Sequence, residues 1–126
     1  MYMNHRLNLK PISANRMFYR MKQKTADYKR YQNDVRDMVI WLDGDKFEWP
    51  FGSEQVFVCV HAGLSNKAAD LDNIIKPLLD TYQVMYDDFN DKNVYGISMF
   101  KDLVPRGSEY LDVSIIRKNN DTNDNT

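Results

Sequence analysis

Asp70 and Asp72 stand two residues apart in the run Asp70-Leu71-Asp72-Asn73, between a stretch that reads as a strand with its loop and one that reads as a helix. Two carboxylates leaving the backbone that close together at the mouth of a sheet are hard oxygen donors of the kind magnesium and manganese take. Those ions use one or two carboxylates and complete the shell with waters and substrate phosphate oxygens. Leu71 between them would anchor the segment in the core. Lys76, four residues after Asp72, falls on the same helical face. Its ammonium there would neutralise charge developing on a phosphate or orient an attacking water. The same two aspartates also suit plain helix capping. A second acidic cluster, Asp87, Asp88 and Asp91, follows the helix. An antiparallel return of the chain would bring one of its members beside Asp70 and Asp72; otherwise the cluster is a polar turn.

The elements that must hold these residues are legible in the apolar spacing. Leu7 and Leu9 alternate with polar neighbours before Lys10-Pro11, which suggests a short first strand ending at the proline. Residues 12–24 read as loop. Ser13, Asn15, Arg16, Arg20, Lys22 and Lys24 are interleaved there with Met17, Phe18, Tyr19 and Met21, a mixture suited to lying along a sugar-phosphate backbone. Taken singly, Phe18 and Tyr19 are better read as core contacts than as base-stacking platforms.

From Thr25 to Leu42 the positions Tyr28, Tyr31, Val35, Met38, Val39 and Leu42 recur at helical spacing, with Thr25 as cap and Asp43-Gly44-Asp45 as terminator. Gln55 to Ala62 is an almost unbroken β-branched and aromatic run, as in a central strand buried on both faces. His61 at its end reads as a structural or edge residue rather than a metal ligand, since no second histidine lies at ligand spacing. A second helix runs from a cap at Asp72 or Asn73 to about Gln83, with Ile74, Ile75, Leu78, Leu79 and Tyr82 facing the sheet and Pro77 near its first turn. Strands are expected at 94–100 and 111–116. Asn119 to Thr126 contains no apolar residue and is expected to be a solvated tail. The resulting expectation is an α+β fold: one domain at 1–118, a mixed sheet of about four strands on two main helices, and a polar tail at 119–126.

The totals restrict the functional class. A chain of 126 residues that is 43% hydrophobic has the size of one compact domain. The single cysteine, Cys59, excludes a disulfide framework within one chain. No stretch is long and apolar enough to span a membrane, and the first residues lack a signal-peptide core, so a cytoplasmic location without membrane contact is expected. The net charge of −1 conceals an asymmetry. Residues 1–41 carry nine Lys or Arg against three Asp, and the remaining 85 carry 8 against 15. Such a split suits a protein that grips phosphates with one region and concentrates cations with another.

The run Asp70-Leu71-Asp72-Asn73-Ile74-Ile75-Lys76-Pro77-Leu78-Leu79-Asp80 resembles the signature of the RusA-type Holliday-junction resolvases, a pattern close to D-L-D-N-x-x-K-x-x-x-D followed by an acidic pair and a strand. Pro11-Ile12-Ser13-Ala14-Asn15 is similar to the family's early P-x-S-x-N segment, and the resemblance extends over about residues 7–117. It implies a homodimeric, magnesium- or manganese-dependent endonuclease that nicks opposed strands of a four-way DNA junction in recombination and repair. It implies roles for Asp70, Asp72 and Lys76 directly. For the third metal ligand it implies Asp91, matched by counting back from Val94 and Lys101, with Asp88 as the fallback. It also implies DNA contacts from Asn15, Arg16, Arg20, Lys22 and Lys24, and a phage or prophage setting is in keeping with the family. A nuclease for flaps or other branched DNA is the nearest alternative. A DNA-binding module without activity, its acids serving only as caps and turns, is another.

Overall fold

The computed structural model describes residues 2–20 and 23–118. Lys22 and the expected tail at 119–126 lie outside the described residues. Four strands and two main helices form the α+β arrangement the spacing predicts: β1 Tyr2–Leu7, α1 Ala26–Asp43, β2 Val56–Leu64, α2 Asp72–Met85, β3 Val94–Leu103 and β4 Tyr110–Arg117. They make one sheet in the order β1-β4-β2-β3. β4 runs antiparallel to both of its neighbours, whereas β2 and β3 are parallel, so the sheet is mixed.

β2 is interior, as its run of β-branched residues predicts, but the helices cover only one of its faces. Val56, Val58, Val60 and Ala62 are fully buried, while Phe57 and Cys59 are half-buried and His61 is exposed. Val113, Leu111 and Ile115 of β4 and Leu7 of β1 continue the buried face. Tyr28, Tyr31, Val35 and Val39 of α1 and Ile74, Leu78, Tyr82 and Met85 of α2 cap it. This is a two-layer packing of an apolar sheet face on two apolar helix stripes. On the open face His61 stacks on Phe100 with ring centroids 4.8 Å apart.

β1 begins and ends earlier than the Leu7/Leu9 alternation suggests. Leu9 N–H turns back to the Leu7 carbonyl at 3.0 Å, which takes the chain out of the ladder before the proline. His5, on the inner side of β1, is completely buried. One ring nitrogen lies 2.6 Å from the Asp43 carboxylate and the other 2.6 Å from the Tyr82 hydroxyl. Burial first, then the nearby Tyr86, Tyr31 and Asp43, push the Tyr82 hydroxyl well above its ordinary range. It therefore stays protonated and shares a hydrogen bond with Nδ1, while Nε2 faces the Asp43 carboxylate. One imidazole thus ties β1 to the end of α1 and to α2.

α1 is capped as its sequence predicts. Thr25 Oγ1 accepts from Tyr28 N–H at 3.0 Å, and Gly44 closes the helix at φ 88°. The apolar stripe stops short, however, for Leu42 is 47% exposed and only Val39 and the residues before it reach the core. α2 starts one residue earlier than expected, with Leu71 at the cap and no side-chain capping bond. Pro77 therefore lies in the second turn, where its missing N–H costs the Asn73 carbonyl one helix bond. At the far end of α2, Trp49 stacks on Phe89 at 4.3 Å and packs against Tyr86 and Phe51. This cluster pins the turn that carries Asp87 and Asp88 at the end of the sandwich where β2 begins.

Candidate functional site

Where β2 ends, the chain makes the loop Ser65–Leu71 before α2 turns back across the sheet. Four features build this loop. Asn66 accepts from Ala68 N–H at 2.9 Å, closing a short turn. Lys101, near the end of β3, donates to the carbonyls of Lys67 and Ala69 at 2.8 and 3.0 Å. Ser65 donates to Glu109 at 2.7 Å, and Gly107 N–H donates to the same carboxylate at 2.8 Å. The Ser65 hydroxyl is the largest of the influences that hold the Glu109 carboxyl below its usual range, so it stays ionised and keeps the turn at 105–109 against the loop.

Opposite this loop lies the segment Leu9–Arg16. Ser13 caps the short 3-10 turn Ala14–Arg16 by accepting from Asn15 N–H. Thr25, the cap of α1, also donates to the Arg16 carbonyl, which fixes this segment against the start of the helix. The two walls enclose an open cleft of about 1180 Å³. Lys10, Ser13, Arg16, Arg30, Lys67, Asp70, Asn73 and Arg106 all line it, with Asp27, Asp34 and Glu109 as the other charged residues. The pieces of sequence that carry the P-x-S-x-N and D-L-D-N patterns, far apart along the chain, therefore face one another across one cavity.

Tyr31 also lines the cleft, and its hydroxyl is buried without a hydrogen-bond partner among the described residues. A buried hydroxyl left unpaired carries a desolvation penalty. Burial, then the neighbouring Tyr28, keep it protonated far into the alkaline range, so it is available as a neutral donor. Sequence reasoning assigned Tyr31 to the helix stripe alone. The same residue serves both purposes, because it belongs to the buried stripe of α1 and also lines the cleft.

The expected site residues divide sharply in position. Asp70 is exposed and lines the cleft; Asp72, also exposed, is the first residue of α2 and lies outside the lining. Neither carboxylate caps the helix, so capping does not account for either aspartate. Lys76 is 62% exposed and pairs with Asp80 at 3.6 Å rather than turning back to Asp72. Asp88 and Asp91 sit beyond the other end of α2, where Asp91 N–H donates to Gln83 at 3.1 Å. β3 is parallel to β2 and starts at the end away from the loop, so the chain comes back beside Asp70 only at the end of the strand, well past Asp91. A helix of 14 residues, roughly 21 Å long, thus separates Asp70 and Asp72 from Asp91. Among the described residues no group of three His, Cys, Asp or Glu stands where it could hold a metal ion. The expected gathering of three acids is not met within one chain, although the donors present are the hard oxygens that suit magnesium or manganese.

Of the expected DNA contacts, Arg16 lines the cleft and pairs with Asp27 at 3.7 Å, and Asn15 is exposed beside it. Arg20 is exposed in the loop beyond. Lys24 is committed to the fold, donating to Gln32 at 2.9 Å with its ammonium 5.6 Å from the Tyr28 ring centre. Phe18 and Tyr19, expected in the core, are 41% and 62% exposed, because the bridge between Phe18 and Lys24 turns this segment outward. Among the described residues no helix is long and apolar enough to cross a membrane. A comparison of the sequence with protein-family models gives no match, and a comparison with curated proteins gives none.

Proposed function

We propose that this protein is a metal-dependent, structure-selective endonuclease that acts on branched DNA, with the four-way junction as its substrate. The observation that carries the reading is the cleft, in which Asp70 and Asn73 from the start of α2 face Ser13 and Arg16 from the early loop. The resemblance of those two segments to one nuclease family gives that juxtaposition its meaning.

Lys10, Lys67 and Arg106, with Arg16 and Arg30 that share Asp27, offer cations to a phosphate backbone, and contacts of this kind fix position without reading sequence. The covered Tyr31 hydroxyl beside the cleft would become a neutral donor for a phosphate oxygen once DNA opens the wall. Asp70 and Asp72 would hold magnesium or manganese, which when bound supplies a Lewis acid for the phosphate and makes water a nucleophile near neutral pH. The exposed Phe18 and Tyr19, next to Arg20, offer faces on which unpaired bases at a branch could stack.

The test is cleavage of a synthetic four-way junction, a flap and a linear duplex with magnesium, by wild type, Asp70→Asn and Asp72→Asn. Wild type is expected to nick the junction preferentially, with a loss of at least about a hundredfold in each variant, the scale on which removing key charge stabilisation acts. Undiminished cutting by either variant, or no cutting of any branched substrate by wild type, overturns the reading.

A further inference from the structure

Strand order sends one connection across the mouth of the cleft. In the order β1-β4-β2-β3 the strands β3 and β4 are not neighbours, so residues 104–109 pass over the end of β2 to join them. Leu103 pairs with Leu64 and Tyr110 with Gly63, which sets this strap over the exit where the chain leaves β2 for the loop that carries Asp70.

The strap is held at every step of its course. Val104 N–H donates to the Leu64 carbonyl at 2.9 Å, which ties its first residue to the end of β2. Ser108 N–H donates to the Pro105 carbonyl at 3.0 Å and Gly107 takes φ 93°, the pattern of a type II turn with Arg106 at its second position. On the cleft side the Glu109 carboxylate accepts from Ser65 and from Gly107 N–H. On the open face of the sheet the Tyr110 ring lies across Gly63, where a Cβ would run into it. Its hydroxyl donates to Asp102 at 2.6 Å, and the Arg6 guanidinium stands over the ring at 3.6 Å from its centre. Surface connections are ordinarily the mobile parts of a fold, whereas this one is pinned from both faces.

What the pinned turn presents is one guanidinium. Arg106 is exposed, lines the cleft and has no ion-pair partner among the described residues, whereas Arg16 and Arg30 share Asp27. Glu109 is the one acid of the strap, and both of its oxygens are engaged by Ser65 and Gly107. We propose that Arg106 grips a backbone phosphate of DNA lying in the cleft, and that Glu109, latched by Ser65, is the positioning residue that fixes the turn carrying it. The identity of the anion rests on the nuclease reading above. A guanidinium engages two phosphate oxygens with its planar fork only from the right direction, so a turn already fixed lowers the ordering cost of binding.

Binding of a synthetic four-way junction without metal, over a series of salt concentrations, tests this on the full chain. Arg106→Gln is expected to bind about fivefold more weakly, with the slope of log affinity against log salt reduced by about one, the mark of a single lost phosphate contact. Ser65→Ala keeps every charge and removes the latch. It is expected to weaken binding about threefold in the wild-type background and to add nothing in the Arg106→Gln background, since its effect runs through that side chain. A Ser65 that served the fold alone would weaken both backgrounds alike. An unchanged salt slope in Arg106→Gln overturns the phosphate contact, and additive losses in the double variant overturn the positioning role. If wild type binds and cuts the junction while Arg106→Gln binds it equally well, the grip fails and the nuclease reading stands. A wild type that neither binds nor cuts any branched DNA overturns both.

Discussion

Lys101 donates to the backbone carbonyl of Ala69 at 3.0 Å, immediately before Asp70, so the position of the cleft aspartate is set by a strand more than thirty residues later in the chain. The ammonium also donates to the Lys67 carbonyl, so it braces the loop at two points. A side chain that touches the backbone of a candidate ligand loop acts by positioning.

Replacing Lys101 with Met should therefore leave the fold in place while loosening the loop. Because Lys101 is exposed, its truncation exposes no core. Manganese affinity is expected to fall roughly tenfold, in the range typical of lost supporting contacts. Far-ultraviolet circular dichroism and the thermal midpoint should barely change. A collapse of the thermal midpoint, or undiminished metal affinity, would contradict the positioning role.

Tyr31→Phe makes a sharper distinction, since it removes only the hydroxyl that lacks a partner. Deleting a buried, unpaired polar group relieves a penalty, so stability measured by urea denaturation should hold or rise by up to about 1 kcal/mol. Affinity for a junction, measured without metal, should fall several-fold. A destabilised variant would mean that the hydroxyl is satisfied in the folded protein. Unchanged affinity would mean that nothing in the cleft reaches it.

The core tyrosines set an alkaline limit to stability. Burial foremost, then Asp80, raises the Tyr28 hydroxyl from 10.0 to about 12, and burial foremost, then Asp43, raises that of Tyr86 to about 12. Once unfolded, both would ionise near the ordinary value of about 10. The folded protein thus binds more protons than the unfolded chain between those values, and stability falls as pH rises through that interval. Below about pH 10 both states are protonated and the contribution is constant. Urea midpoints measured from pH 8 to 12 should stay level and then drop, with tyrosinate absorbance rising together with unfolding. Midpoints flat to pH 12 would exclude this linkage.

Local patterns in the sequence carried the helices and most of the strands. The stripe from Tyr28 to Val39, the Thr25 cap and the Gly44 stop are nearest-neighbour properties, and α1 follows from them. The run at 56–62 is likewise enough to place β2 inside a sheet. The pairing of Pro11–Asn15 with Asp70–Asn73 was legible only as two motifs of similar family character, since nothing in either segment states that they share a cleft. Tyr31 in the wall and Lys101 under the loop were hidden, because a stripe position and an exposed strand lysine look ordinary along the chain.

What the sequence determined alone was the set of elements and the chemistry on offer: carboxylates at the start of α2 and cations in the first third. Only tertiary structure decided which of those groups meet. The parallel pairing of β2 with β3 sends the chain the length of α2 before the third aspartate, so Asp91 stands away from Asp70 and Asp72. Hydrophobic periodicity reports which face of a segment is buried. Strand direction and order depend on contacts between residues far apart in the chain, for which local spacing carries no signal.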